Sequence, residues 1–213
     1  HWASSSFGYG SAMKETLAGI EDYTRIGSLL QPEQIVKYGE LTLRENQIAY
    51  AEPSFFRLFD FELLKGDKKT CLSMPGQVVI TERIASKYFK DEDPIGKIFI
   101  FTGAYDKISC EVTGVMKEMP SNSHIHYSFL ISYKSLPKYM QEYWYKHEAY
   151  TYVLLDSPER KAEIEREFPV MAEKYKTDEA LKNKTWGVSL IPLADIHLTP
   201  QVGYEAETKG NRS

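Results

Sequence analysis

The block Val78-Val79-Ile80-Thr81-Glu82-Arg83-Ile84-Ala85-Ser86-Lys87-Tyr88-Phe89 changes its apolar spacing in mid-course, and that change constrains the fold more than any other stretch. Three consecutive β-branched residues suit a short strand, while Ile84, Ala85, Tyr88 and Phe89 recur at helical spacing. Thr81 stands at the junction, where its hydroxyl can accept one of the orphan N–H groups of a helix start. A strand feeding directly into a helix needs a sheet for the one and a covering layer for the other. Alternating runs at 97–101 and 108–116, around a turn from Gly103 to Lys107, supply antiparallel strands, and Gly114 permits a bulge or a close backbone approach.

The same rules place further elements. A short helix is predicted after Ser11, where Met13, Leu17 and Ile20 share a face and Gly19 invites termination; residues 1–10, small and polar, read as a loop. Strands are predicted at 24–30 and 34–38, separated by Pro32, and at 47–51 after a hairpin that begins at Gly39. Phe55, Phe56 and Phe59 lie on one side of a short helix and read as core rather than as a ligand stripe. Gly66-Asp67 makes a turn. Further strands are predicted at 127–133, 150–155 and 186–192. Ser157-Pro158 reads as a helix start with Ser157 as cap, and Pro169 should kink or divide that helix. This order of strands and short helices is α+β, in one body or two lobes.

With 42% hydrophobic residues, 15 Tyr and 10 Phe in 213 residues, a real core is expected and disorder is confined to the ends. The net charge of −4 comes without a basic stripe, which leaves a nucleic-acid groove unsupported. No run approaches the roughly 18–20 apolar residues that cross a bilayer. A start at His1-Trp2 without Met points to trimming. Cys71 and Cys110 are too few for a disulfide framework, and Cys110 shares a strand face with Ile108 and Val112; buried free thiols are the preferred reading over a bridge.

Little in the chain points to catalysis. His124 and His126 would share a face on an extended strand, but a zinc site needs a third ligand, such as His147, His197 or an acid, and nothing local supplies it. The acidic turn Asp91-Glu92-Asp93-Pro94-Ile95-Gly96-Lys97 lacks the spacing of a calcium loop and reads as a solvated bend. Gly8-Tyr9-Gly10-Ser11-Ala12-Met13 imitates a dinucleotide loop but carries Met13 where the last glycine belongs. There is no phosphate-loop lysine motif and no nucleophile elbow. No cofactor is expected. Asn183-Lys184-Thr185 and Asn211-Arg212-Ser213 match a glycosylation pattern that matters only in a eukaryotic secretory setting. In the aromatic segment 134–148, Tyr139, Tyr143, Trp144 and Tyr145 form a candidate interaction surface or, equally, a lid over one lobe.

Several blocks in order carry more information than these motifs. They are Tyr50-Ala51-Glu52-Pro53-Ser54-Phe55-Phe56-Arg57-Leu58-Phe59-Asp60-Phe61-Glu62-Leu63-Leu64-Lys65-Gly66-Asp67, the 78–89 block, Glu92-Asp93-Pro94-Ile95-Gly96-Lys97, Val112-Thr113-Gly114-Val115, Met119-Pro120-Ser121-Asn122-Ser123-His124 and Pro192-Leu193-Ala194-Asp195-Ile196-His197-Leu198. Together, over roughly 12–210, they resemble the large extracytoplasmic domain of bacterial ABC-transporter permeases of the macrolide-exporter (MacB-like) and FtsX-like type, especially its Bacteroidetes versions. The resemblance implies a two-lobed core with a porter-like βαβ lobe and a second mixed α/β lobe. It implies a flexible segment at 1–11 and a core domain at 12–204, with one lobe from both chain ends and the other from a central insertion. A polar tail at 205–213 would lead to a membrane helix. The resemblance also implies that the family's first strand is missing or altered before His1, and that His124, in the family's Asn-Ser-His turn, has a structural role.

The resemblance further implies an inner-membrane protein with this domain in the periplasm. ATP would be hydrolysed by a cytoplasmic subunit, and an adaptor or a peptide or lipid passenger is a further partner. The domain itself would be non-catalytic, transmitting conformational change or contacting substrate. The alternatives are a stand-alone peptide or lipid binding module and a metal-dependent hydrolase.

Overall fold

A computed structural model describes residues 4–27, 33–103, 107–145, 147–176 and 182–196. In chain order the first elements are β1 (Ser5–Ser6), α1 (Tyr9–Thr16), β2 (Ile20–Gly27), β3 (Gln34–Tyr38), β4 (Leu41–Glu45), β5 (Ile48–Ala51), α2 (Phe55–Leu58) and β6 (Leu63–Lys65). They are followed by β7 (Gln77–Thr81), α3 (Glu82–Phe89), β8 (Ile98–Thr102), β9 (Lys107–Met116), β10 (Phe129–Ser132), α4 (Lys138–Gln141), β11 (His147–Leu155) and α5 (Arg160–Ala172). Among the described residues, eleven strands join one mixed sheet in the order β1-β11-β2-β5-β10-β7-β9-β8-β3-β4, with β6 also paired to β9. The pairs β5–β10 and β7–β9 are parallel and the others antiparallel.

Central strands buried on both faces explain the apolar runs. Val78 and Ile80 enter one cluster with Phe129, Ile131, Phe99 and Phe101, whereas Val79 and Leu130 enter a second with Phe55, Phe56 and Phe59. The aromatic face of α2 is therefore core. Thr81 caps α3 as its position predicts, accepting the Ile84 N–H. On β9 the parity changes: Cys110 and Val112 face the first cluster, yet Val115 does too, and Met116 faces the second. The extra residue is Thr113, since Val78 pairs with Val112 and Val79 with Gly114. One inserted residue turns every following side chain over. Gly114 leaves room at that crossing, because a Cβ would lie 3.1 Å from Val79 Cγ2 and 3.3 Å from the Lys65 carbonyl oxygen. Gly66 sits at the same crossing with φ 95°, where a Cβ would lie 2.4 Å from the Thr113 carbonyl oxygen.

A third cluster covers the β11 end of the sheet: Tyr9, Met13, Leu17, Trp144, Ile164, Phe168 and Met171, with Trp186, Val188 and Leu190 against it. Several expectations change here. Residues 5–10, read as loop, contain β1 and the start of α1, and Phe7 is fully buried. Their own hydropathy is low; they are buried by what lands on them. Ser157 does not cap α5, which begins at Arg160 without a side-chain cap; the serine hydroxyl bonds Glu159 instead. Pro169 removes a ladder donor without dividing the helix. Residues 186–192 are not a strand: the alternation of Trp186, Val188 and Leu190 is real, but those side chains rest on the third cluster, and the Leu190 N–H donates to Glu165 Oε1 at 2.6 Å. β6 has no counterpart among the predicted strands. Pro32, His197, Asn211 and the tail at 205–213 lie outside the described residues.

Candidate functional site

Where the third cluster meets the other two, β2 carries a buried cation. Arg25 is 3% exposed, between Thr24 and Ile26, both fully buried. Its Nε donates to Glu52 Oε1 at 2.7 Å and a terminal nitrogen approaches the same carboxylate at 2.5 Å. The other terminal nitrogen donates to the Phe7 carbonyl at 2.5 Å, the Gln141 carbonyl at 2.8 Å and Glu142 Oε1 at 3.2 Å. The guanidinium lies 4.3 Å over the Tyr133 ring. One planar fork thus joins the N-terminal segment, β2, the β5–α2 turn and the aromatic segment, a role that a lysine point charge could not fill.

The electrostatics follow from burial. Loss of water, the largest influence on Arg25, works against its charge, but Glu52, Tyr133 and Glu142 together hold its pKa above the ordinary range. At Glu52 the same loss of water outweighs the guanidinium and pushes the carboxyl upward. The pair is nonetheless ionised: a guanidinium keeps its proton, and a neutral Glu52 would leave it facing only Glu142, whose side chain is 58% exposed.

The aromatic residues singled out in the sequence separate. Tyr139 and Tyr145 are 75% and 52% exposed, and Tyr143 is half-buried against the first cluster. Trp144 is buried, stacked on Tyr175 at 4.2 Å and Trp186 at 5.3 Å, with Tyr9 at 5.0 Å. Beneath it lies Gly8, the first of the two glycines that imitated a dinucleotide loop. A Cβ on Gly8 would fall 2.1 Å from Trp144 Nε1, and one on Gly10 2.6 Å from the Tyr23 ring. Those glycines make room for aromatic rings.

The histidines do not converge. His124 Nε2 bonds the Tyr152 hydroxyl at 3.0 Å, and His126 Nε2 donates to the Pro120 carbonyl at 2.9 Å. His147 Nδ1 meets the Ser4 carbonyl at 3.4 Å. Among the described residues, no three His, Cys, Asp or Glu side chains group as metal ligands. The acidic turn is held by Asp93, which bonds Lys65 and the Ile95 N–H. Arg25, Glu52 and Glu142 escaped the sequence reading; the available signal was a lone cation among Tyr23, Thr24, Ile26 and Gly27, after the acidic pair Glu21-Asp22.

Both thiols are buried and free, in different clusters. Burial raises Cys71 to about 11 and Cys110 to about 12. Each folded thiol therefore keeps its proton where the unfolded chain has lost it. Stability from this source is complete below the ordinary thiol value of about 8.5 and falls by about 1.4 kcal/mol per pH unit per thiol above it, until the folded value is reached. We expect no alkylation by iodoacetamide at pH 8 in the native chain and full alkylation in urea. Native labelling of either cysteine at the unfolded rate contradicts this.

The family described as MacB-like periplasmic core domain matches residues 3–169. A domain assigned to a permease protein from Porphyromonas gingivalis superposes with TM-score 0.71 at 22% identity, over 85% of this chain and 75% of that one. The extracellular domain of the noncanonic ABC-type transporter YknZ from Gram-positive bacteria gives 0.58 at 16% identity, over 84% and 88%. The periplasmic region of MacB from Actinobacillus actinomycetemcomitans gives 0.57 at 15% identity, over 83% and 83%. No curated protein matches the chain. Among the described residues, no helix is long and apolar enough to cross a membrane.

Proposed function

The chain belongs to the MacB-like periplasmic core domain family, and from that premise we propose that it transmits movement between the membrane part of an ABC transporter and a partner or passenger. It is an extracytoplasmic domain of an ABC-transporter permease, and the family is non-catalytic. The observation that carries the transmission reading is the Arg25 junction, which ties the segment nearest the N-terminus, the central sheet and the aromatic segment into one stiff body. A domain that passes on displacement must resist internal deformation while its outer contacts differ between states.

The two-lobed organisation is supported by the clusters: the third is built from residues 9–20 and 144–190, the other two mainly from residues between them, joined by Phe7 and Ala149 and with Tyr150 and Tyr152 packed against the second. The chain-end lobe then faces an inner membrane from the periplasm, below a central lobe that contains β7, α3 and β9. The contact surface is Tyr139, Tyr143 and Tyr145, with Trp144 supporting it from beneath. A cytoplasmic ATPase subunit and a periplasmic adaptor or peptide or lipid passenger complete the machine.

The test uses the full-length permease reconstituted with its ATPase, spin-labelled at two exposed positions, Lys90 and Arg166. The distance between the labels is expected to stay the same with and without ATP, while the depth of each label relative to the bilayer changes. Unchanged depths in all nucleotide states, with passenger binding intact, would instead make the domain a passive binding module.

A further inference from the structure

We propose that residues 133–145 form a strap that opens locally, released by the Glu142 carboxylate while the body of the domain stays folded. The segment closes on itself in the manner of an Ω-loop. The Tyr133 hydroxyl donates to the Gln141 carbonyl at 3.0 Å, and the Gln141 amide reaches the Leu136 carbonyl at 2.7 Å and the Lys134 carbonyl at 3.3 Å. Its two ends are anchored by buried rings, Tyr133 and Trp144, and its tip carries exposed Tyr139.

The strap's fastening to the N-terminal segment and Arg25 is concentrated at 141–144, while near its other end Ser135 Oγ accepts from the Gly76 N–H at 2.9 Å and Leu136 is buried in the first cluster. Glu142 accepts from the Ser11 hydroxyl through one oxygen and from Arg25 through the other. The Gly8 N–H donates to the Tyr143 carbonyl at 3.0 Å, and the Ser6 hydroxyl to the Trp144 carbonyl at 2.9 Å. These bonds run to residues 6–11 and to Arg25, so displacement of the N-terminal segment bears directly on the strap.

Arg25 is shared between two unequal carboxylates. Glu52 belongs to the body, with a side chain 14% exposed; Glu142 belongs to the strap and is mostly hydrated. If the strap lifts, Glu142 regains water and Arg25 keeps its buried counter-charge. The opposite exchange would strand a buried charge. Opening is therefore a local event, of the kind that exposes amides without global unfolding. The strap would thus couple the N-terminal segment to the positions of Tyr139 and Tyr145. That link rests on the transmission reading above; the strap itself is tested without it.

Native-state hydrogen exchange on the whole chain is the test, in low urea. Amides of 134–143 are expected to exchange with little dependence on urea, while those of β7, β9 and β10 follow the urea dependence of global unfolding. Glu142→Gln is expected to speed exchange in the strap by about tenfold, the loss of one charge-assisted hydrogen bond, with the sheet unchanged. Ser11→Ala, on the rim, is expected to act in the same direction to a smaller extent. Strap amides that share the urea dependence of the sheet in the wild-type chain overturn the proposal, and so does a Glu142→Gln effect spread evenly over strap and sheet. If strap opening is seen but transport is indifferent to it, the transmission reading fails and the strap stands.

Discussion

Arg25→Met is expected to lower the free energy of unfolding by about 3–5 kcal/mol, because it leaves Glu52 buried without its counter-charge. The carbonyls of Phe7 and Gln141 lose a charged donor at the same time, and Tyr133 loses the cation over its ring. Urea denaturation of the purified chain measures the loss. A second variant separates the worth of the pair from the penalty of breaking it: Arg25→Met with Glu52→Leu removes both charges, and a buried ion pair exchanged for apolar side chains often comes out near neutral. The double variant is therefore expected to recover most of the stability. A single variant within about 1 kcal/mol of wild type would place the junction in the class of solvated surface pairs and remove the central support of the transmission reading.

Trp144→Ala is expected to cost about 3–5 kcal/mol, in the range of large aromatic truncations in a core. The indole is the common neighbour of Tyr9, Tyr175 and Trp186, so its loss removes the ring on which Trp186 stacks as well as opening a cavity beside α1. The cavity predicts a coupling with Gly8. In the wild-type chain, Gly8→Ala drives a methyl into the ring and is strongly destabilising; once the indole has been removed, the same methyl has room. The four proteins of this cycle, compared by thermal or urea unfolding, should show a favourable coupling of about 1–3 kcal/mol. Simple additivity would mean that the glycine is not there to seat the indole.

Much of the sheet was legible because each strand carried its own periodicity. Val78-Val79-Ile80, Phe99 and Phe101, and Cys110, Val112, Val115 and Met116 are buried by their own side chains, and Thr81 caps the helix it precedes. The aromatic helix at Phe55 to Phe59 was legible as core for the same reason. Residues 5–10 were not, since Ser6, Gly8 and Gly10 are small and polar in composition and gain their burial from Trp144 and Tyr23. Residues 186–192 misled in the opposite way: alternation reports that one side of an extended chain is covered, and it does not say whether a sheet ladder or a helix face supplies the partner. The candidate site was half legible. Aromatic density marked 134–148, but which rings turn inward depends on segments far away in sequence.

By itself the amino-acid order determined the element types, the mixed α and β character, the apolar residues of the central strands, and, through the joint order of several blocks, the family. Those properties are local, because a strand or helix is written in the spacing of neighbouring side chains. The three-dimensional fold alone decided that Arg25 meets Glu52 and Glu142, that Thr113 reverses the faces of β9, and that Gly8 lies under Trp144. Each depends on two or more distant segments arriving at one place, where desolvation and steric contact, rather than periodicity, set what a residue does.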